Sequence, residues 1–288
     1  MMWPEGWMIT LKQPELSLQK SPFTLRLTYG RLLRSVGPAS AAFSSGLRSD
    51  TPSTAFFCGY QAAIRFVDPL LEAEQWGALC VSEKGLKSLS SMTTRLDHER
   101  GWLSGVKSHA LMIGQGMDWL YILAKRDDDI VALKVAANSD GIRIIPNQKP
   151  QPFVPDAQHS AIALEAVDVK AAVIFTDAHA NINRPFRYWE DVCVGLAFAG
   201  WIVRQLIMQE SDVSLDFSDA IQKIQSEFSN NTQGYSIDTL QLVDDLYREM
   251  MIAGDQIVGD SAVSWKRDRL LLALGEKARQ MLREKMAD

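Results

Sequence analysis

Residues 76–118 read WGALCVSEKGLKSLSSMTTRLDHERGWLSGVKSHALMIGQGMD, and the assignment of the fold starts from this segment. A short apolar segment ends in Ser82-Glu83, a glycine-containing loop follows, and an alternating segment then leads to Gly105-x-Lys107. Glycine adopts backbone conformations that other residues rarely reach, and it lets the backbone approach a ligand closely. The two glycine-containing segments are therefore the first candidates for a ligand site.

The order of these segments resembles the middle domain of the acyl-CoA dehydrogenase family. In that family a strand ending in TEPGAGSD precedes a GxKxWITNG hairpin and then an aspartate, which Asp118 matches here. The family's two loops hold a flavin ring and an acyl thioester. The resemblance covers residues 50–210 best. It implies FAD as the cofactor and, as substrate or partner, an acyl-CoA or an acyl-carrier protein.

The resemblance assigns a cofactor-binding role to four residues. Ser82 and Glu83 match the Thr-Glu at the end of the family's strand, where the threonine faces the flavin. Ser88 matches the serine that lies along the acyl-CoA path. His109 stands where the family has an aromatic residue behind the flavin ring; the alternative is a strand histidine bonded to its neighbours.

Several residues differ from those of the family pattern. Lys87 and Leu89 replace the glycine and the acid on either side of the matched serine, and Leu111 replaces a hydroxyl-bearing residue. Lys87 either clashes with a tightly bound cofactor or meets a phosphate. Gly105 suits the turn of a hairpin, with Lys107 opening the returning strand. The family's RxxFG motif is absent.

Dehydrogenation in this family needs a carboxylate base beside the acyl α-carbon, in surroundings dry enough to raise its pKa. The family supplies this base from its C-terminal bundle, but its loop motif is missing here. The candidates are Glu190 and Asp191, which open an apolar helix, and Asp244 and Asp245 on a later helix. The alternatives are a helix cap for the first pair and a solvated helix face for the second.

The periodicity predicts helices, then strands, then helices. Residues 1–25, with Pro4, Pro14 and Pro22, are expected to be irregular. Predicted helices cover residues 25–45, 51–68, 186–209, 214–228, 236–257 and 265–286. Predicted strands cover residues 76–82, 90–97, 101–107, 119–126, 130–137, 141–146, 160–166 and 169–175.

Separate runs of helices and strands indicate an α+β fold, and short strands at this spacing predict an antiparallel barrel. We therefore expect a helical N-terminal segment over residues 1–74. An antiparallel β-barrel is expected over residues 75–178 and a C-terminal helical bundle over residues 179–288.

Composition narrows the partners and the location. The 288 residues carry a net charge of −5, which disfavours nucleic acid, although a local basic patch for a CoA phosphate or an acidic carrier protein is compatible with it. Cys58, Cys80 and Cys193 lie among apolar residues and are expected to be free thiols in a reducing, cytoplasmic compartment. The sequence predicts no signal peptide and no membrane span.

Two functions fit these patterns. The first is an acyl-CoA dehydrogenase-like flavoprotein that dehydrogenates an acyl thioester by hydride transfer to FAD. The alternative is a catalytically degenerate relative that acts as a partner subunit, a thioester-binding module or an assembly protein. In either case we expect a homo-oligomer, or a hetero-oligomer with a full-length relative. The association would use the C-terminal helices, whose apolar faces include Leu240, Leu246, Leu271 and Leu274.

Overall fold

The computed structural model describes residues 5–20, 22–111, 116–146, 151–212 and 214–287. This part of the chain forms nine α-helices and eight β-strands. The helices are α1 (Glu5–Leu11), α2 (Pro22–Val36), α3 (Pro38–Gly46), α4 (Pro52–Val67), α5 (Arg184–Met208), α6 (Leu215–Asn230), α7 (Ile237–Gly254), α8 (Asp260–Ala273) and α9 (Glu276–Ala287). The strands are β1 (Gly77–Cys80), β2 (Arg95–Asp97), β3 (Trp102–Leu111), β4 (Trp119–Arg126), β5 (Asp129–Ala136), β6 (Ile142–Ile145), β7 (His159–Asp168) and β8 (Val173–Phe175).

The chain divides into two compact units. The helical unit comprises residues 1–74, 152–156 and 185–288, and the sheet unit comprises residues 75–151 and 157–184. The N-terminal and C-terminal helices thus belong to one unit. The three-part division at residues 74 and 178 stays a prediction.

The sheet unit is mixed, which corrects the expectation of an antiparallel barrel. The strand order is β6-β7-β3-β2-β4-β5-β8, and β1 also pairs with β4. Both β1 and β2 run parallel to β4, whereas the other pairs are antiparallel. Among the described residues, no pairing of β6 with β8 closes the sheet into a barrel. The prediction of an α+β fold is confirmed.

The two parallel strand pairings lie along the same edge of β4. β1 pairs with residues 119–122 of β4, and Arg95 of β2 pairs with Lys125 further along the same strand. The segment between β1 and β2, residues 81–94, therefore interrupts one edge of β4. Alternation of apolar residues reveals a strand but not its direction, so the sequence pattern did not reveal this arrangement.

The N-terminal region is more helical than expected. Residues 5–11 and 22–36 are helices, so the prediction of an irregular segment over residues 1–25 is wrong there. Pro22 is the first residue of α2, where a missing backbone N–H costs nothing. Pro4 lies outside the described residues. Gly37, with φ of 75°, separates α2 from α3, so the single helix predicted over residues 25–45 is in fact two.

Two predicted helix starts are confirmed. The hydroxyl of Thr51 accepts a hydrogen bond from Thr54 N at 3.2 Å and caps α4. Ser236 and Thr239 form a capping box at the start of α7. Such caps satisfy backbone N–H groups that have no partner inside the helix.

The helix predicted over residues 265–286 is in fact two helices. α8 ends at Ala273 and α9 begins at Glu276. At the break, a Cβ added to Gly275 would lie 2.0 Å from Arg187 Nη2, so a side chain there would collide with the guanidinium. Gly275 therefore leaves room for a side chain that is almost ninety positions away in the chain.

α5 is the central helix of the helical unit. A Cβ on Gly46 would lie 2.0 Å from Ala197 O, and one on Gly200 would lie 2.2 Å from Phe43 O. The backbones of α3 and α5 therefore touch, and only glycine fits at these two positions. This contact fixes the position of the helix that carries Glu190.

One described segment is long and apolar enough to cross a membrane by length and composition alone. It comprises residues His179–Met208. However, 83% of its most apolar window is buried within the protein, as in the core helix of a globular protein, so the expectation of no membrane span is not overturned.

The leucines predicted to form an association surface are only partly exposed. Leu240 and Leu246 are fully buried because α7 packs against α6, so they cannot contact a partner. Leu271 is half-buried, and Leu274 is 65% exposed. All three cysteines are buried and free, as predicted; the cytoplasmic location and the oligomer stay predictions.

Candidate functional site

A buried ion pair connects the two glycine-containing segments of the sheet unit. Lys107 Nζ lies 2.9 Å from Glu83 Oε1 and also donates to Val81 O at 3.2 Å. Lys107 is 0% exposed and Glu83 only 9%. The backbone N–H of Ser108 donates to Ser82 O at 2.8 Å. These contacts hold β3 against the end of the β1 segment.

Both carboxylate oxygens of Glu83 have partners. Oε2 accepts from Thr93 N at 2.7 Å and from the Thr93 hydroxyl at 2.6 Å, and Oε1 accepts from Thr94 N at 3.0 Å. Burial raises the pKa of Glu83, but the bonds from Thr93, Thr94 and Lys107 outweigh it and lower the pKa to about 2. The side chain of Glu83 therefore holds the residue 81–94 segment in place. A contact with a cofactor stays a prediction.

Gly105 has a different role from the one predicted. It lies within β3 and not in a hairpin turn, and the register between β3 and β7 shifts beside it. A Cβ on Gly105 would lie 2.6 Å from Thr94 Cα, so glycine is needed for β2 and β3 to approach. The turn between these strands is at Gly101, with φ of 70°. Turns and bulges both select glycine, which explains the error.

The loop after Glu83 is open to solvent. Ser82 and Ser88 are exposed, and the hydroxyl of Ser82 makes no hydrogen bond with the described residues. Ser88 begins a short 3₁₀ turn over Leu89–Ser91, and its hydroxyl lies 2.7 Å from Ser90 Oγ. Gly85 has φ of 78°, and a Cβ there would meet nothing within 4 Å. The structure thus presents hydroxyls and free backbone along this loop.

His109 is exposed at the far end of β3, where the strand register shifts between Lys107 and Ala110. Its Nδ1 lies 2.9 Å from the Ser108 hydroxyl, and its ring lies 6.2 Å from that of His159. Burial, and then the nearby His109, lower the pKa of His159 to about 4. His159 is therefore neutral at pH 7; of these two rings, that of His109 is exposed and that of His159 is half-buried.

A second cluster lies in the helical unit, around Glu190. A cavity of about 150 Å³ is lined by Phe56, Arg187, Glu190, Asp191, Val194, Tyr247, Leu271, Leu272 and Leu274. Glu190 is half-buried, and its carboxylate forms no hydrogen bond or ion pair with the described residues. Burial, and then the neighbouring Asp191, raise the pKa of Glu190 to about 7, although Arg187 partly offsets this.

Asp191 has the opposite environment. Its Oδ2 accepts from Arg187 Nε at 3.0 Å, from the Tyr235 hydroxyl, and from Arg279 Nη1 at 3.4 Å. Its backbone carbonyl accepts from the Tyr247 hydroxyl at 2.8 Å. One oxygen of the Asp191 carboxylate, Oδ2, therefore has three donors. Arg187, one turn before Glu190 on α5, is held by Asp191.

The remaining candidates are also paired. Asp244 binds Arg279 Nε at 2.8 Å and Arg283 Nη1 at 2.9 Å, and Asp245 binds Arg248 Nη1 at 2.8 Å. The pairs of Asp244 join α9 to α7, whereas the Asp245–Arg248 pair lies within α7. Of the four carboxylates proposed from the sequence, only Glu190 has no partner in the described part of the chain.

The sequence did not reveal the hydrogen-bond donors that bind the carboxylates of Glu83 and Asp191. Thr93 and Thr94 satisfy Glu83, and Tyr235 and Arg279 satisfy Asp191. The only local signal was Arg187, four residues before Asp191 on one helix, a spacing typical of an ion pair. The other donors are separated from their acceptors by at least ten residues, so no spacing rule identifies them.

Solved structures resemble this chain, although no protein-family model and no curated protein sequence matches it. PigA with FAD and proline has a TM-score of 0.71 and 13% identity, covering 98% of this chain and 92% of that one. The prolyl acyl carrier protein oxidase AnaB has a TM-score of 0.68 and 12% identity, covering 99% and 100%. Butyryl-CoA dehydrogenase from Megasphaera elsdenii has a TM-score of 0.65 and 14% identity, covering 90% and 84%.

The chain has the acyl-CoA dehydrogenase fold. The resemblance drawn from residues 76–118 is thus confirmed at the level of the fold, over nearly the whole chain. The motif that led to it, Ser82-Glu83 with Gly105-x-Lys107, contains the buried ion pair and the close strand contact that shape the sheet unit.

Proposed function

We propose that this protein is an FAD-dependent dehydrogenase that introduces an α,β double bond into an acyl thioester. The observation that carries the proposal is Glu190, a half-buried carboxylate without a partner among the described residues, at a cavity in a chain with the acyl-CoA dehydrogenase fold. A base of this kind is what removal of an α-proton requires.

The sheet unit offers groups that fit a flavin. Ser82 and Ser88 present exposed hydroxyls, His109 presents an exposed ring, and the backbone at Gly85 is open. Hydroxyls and backbone N–H groups suit the polar edge of the flavin ring, and a histidine ring can stack on it. When bound, FAD would supply the acceptor for the hydride that leaves the β-carbon.

Glu190 would act as the base. Its raised pKa, about 7, places the protonated and deprotonated forms in balance near neutral pH, where a general base works best. The α-carbon loses its proton to the carboxylate of Glu190, and the electron pair of the broken C–H bond forms the new double bond as hydride leaves the β-carbon.

Arg187 is the cation that would otherwise disable this base. It stands three residues before Glu190, within reach along the helix, but its Nε is bound to Asp191 at 3.0 Å. Asp191 also accepts hydrogen bonds from Tyr235 and Arg279 through the same oxygen, Oδ2. Asp191 therefore supports the unpaired state of Glu190 and is not itself the base.

The test begins with flavin. We expect the protein, purified in the presence of FAD, to be yellow with near-equimolar flavin absorbance. Anaerobic addition of an acyl thioester should bleach that absorbance. Glu190→Gln should keep the flavin but slow the bleaching by about 10²–10⁴-fold, because only the proton acceptor is lost.

Asp244→Asn is the matched control, since it removes a paired carboxylate from the same unit, and its bleaching rate should stay close to wild type. Protein that binds no flavin would contradict the proposal and leave the catalytically degenerate relative. Equal bleaching in the Glu190→Gln protein would contradict the assignment of the base.

A further inference from the structure

The loop beside the proposed flavin-binding residues carries a cluster of cations. We call Lys84, Lys87, Arg95 and Lys125 the basic loop surface. The first three side chains are exposed and Lys125 is half-buried. The whole chain has a net charge of −5, so a cluster of four cations gives this surface a charge opposite in sign to that of the chain.

The four residues belong to one small region of the sheet unit. Lys125 Nζ donates to Ser90 O at 3.1 Å, which ties β4 to the 3₁₀ turn after Ser88. Lys125 N donates to Thr94 O at 2.9 Å, and Lys125 is the strand partner of Arg95. Lys84 and Lys87 lie in the loop that leads into this turn.

These charges are not neutralised within the described residues. Lys84, Lys87 and Arg95 form no ion pair there, and neither does Lys125. The acid closest in sequence, Glu83, is buried and bound to Lys107.

The acidic turn beyond Arg126 borders the surface, and two of its three acids have other neighbours. Asp129 lies 3.7 Å from Arg126, and Asp127 lies 3.7 Å from His98. The basic loop surface therefore offers its charge to a partner outside this chain.

We propose that the basic loop surface docks an acidic carrier protein, whose phosphopantetheine arm delivers the acyl group. This inference rests on the proposed function, because the surface adjoins Ser82 and Ser88, which would hold the flavin. Four cations spread over a loop and two strands match an extended acidic surface. The phosphates of free CoA would instead need donors that converge on one point.

The experiment measures binding, so that it does not depend on turnover. A phosphopantetheine-loaded acyl-carrier protein serves as the probe, and its affinity for the protein is measured by anisotropy at 50 mM and 200 mM salt. We expect Lys84→Glu/Lys87→Glu to weaken binding at least tenfold at 50 mM salt. The wild-type affinity should fall with salt, because such contacts are screened.

Lys223→Glu/Lys266→Glu is the matched control. It changes the net charge equally, at exposed lysines of the helical unit, and should bind the probe like wild type. Equal weakening in both variants would overturn the inference, as would no binding of the probe by wild type.

Free CoA thioester provides the second arm. If Lys84→Glu/Lys87→Glu weakens its binding as much as that of the carrier protein, the surface binds free CoA and the inference is wrong. Flavin content is measured in each sample. Carrier binding without flavin would refute the proposed function and leave this inference standing, whereas flavin without carrier binding would do the reverse.

Discussion

Glu83 in the sheet unit is buried and Glu190 in the helical unit is half-buried, and their surroundings differ in the partners they offer. Glu83 accepts three hydrogen bonds from Thr93 and Thr94 and pairs with Lys107, and its pKa falls to about 2. Glu190 has no partner among the described residues, and its pKa rises to about 7. The first arrangement stabilises a structure, and the second keeps a base reactive at neutral pH.

This contrast shows that the residues that identify the fold are not the residue that would act as the base. The residues that identify the fold, Glu83 and Lys107, have their charges satisfied by one another. The residue that would perform the proton transfer, Glu190, belongs to no motif of the family that the sequence displays. A motif that matches the family only in part therefore indicates the fold, and the evidence for activity has to come from the helical unit.

The largest effect is expected from breaking the ion pair of the sheet unit. Lys107→Met should lower the free energy of unfolding by about 3–5 kcal/mol, because it leaves Glu83 buried without its cation. Urea denaturation of both proteins measures this. Lys87→Met, at an exposed lysine of the same unit, is the control and should cost less than about 0.5 kcal/mol. If Lys107→Met/Glu83→Gln is no more stable than Lys107→Met, the penalty has another source.

Loss of a single exposed ring in the sheet unit should have a smaller effect. His109→Ala should weaken flavin retention by about 1–3 kcal/mol, the value of one aromatic contact and one hydrogen bond. The dissociation constant of FAD from the reconstituted protein measures it. His98→Ala, at another exposed histidine of the same unit, should not change it. Unchanged flavin affinity in the His109→Ala protein would refute the assignment of that residue.

In the helical unit, the contribution of Glu190 to the free energy of unfolding should fall as the pH rises. The folded pKa of Glu190, about 7, lies above its ordinary value of 4.5, so the stabilisation is present below pH 4.5 and is lost as the pH rises through 7. Glu190→Gln has no such loss. We expect the free energy of unfolding of the Glu190→Gln protein to exceed that of wild type by about 1–2 kcal/mol at pH 8, a value reduced for the partial exposure of Glu190. At pH 4 the two proteins should be equally stable. Equal stability at pH 8 would show that Glu190 is solvated.

The sequence predicted the elements better than their connections. The helix starts at Thr51 and Ser236 were predicted, and the cap at each is local because it bonds within three residues. Strand direction was not, because β1 and β2 share one edge of β4, a fact that no local pattern records. For the same reason the sequence did not reveal that a side chain in place of Gly275 would collide with Arg187.

The site followed the same rule. Glu190 and Asp191 were equal candidates in the sequence, being adjacent acids on one helix. Only the structure distinguishes them, because Tyr235 and Arg279 approach Asp191 from distant segments of the chain. Charge pairing across long sequence separations is therefore the part of this site that sequence reasoning could not supply.

The finest prediction concerns how Asp191 acts on Glu190. In Asp191→Asn the negative neighbour is gone, and Arg187, now released from its 3.0 Å contact, can turn to Glu190. Both changes favour the charged form of Glu190, so its pKa should fall below 7 by about one unit, which equals ~1.4 kcal/mol. Infrared difference spectra of the carboxylate across a pH series measure this directly, with Glu190→Gln identifying the band. Asp244→Asn, which removes an acid bound to Arg279 but not to Arg187, should leave the titration unchanged. A Glu190 titration unaltered in Asp191→Asn would mean that burial alone raises its pKa, and that Asp191 merely ties the helices together.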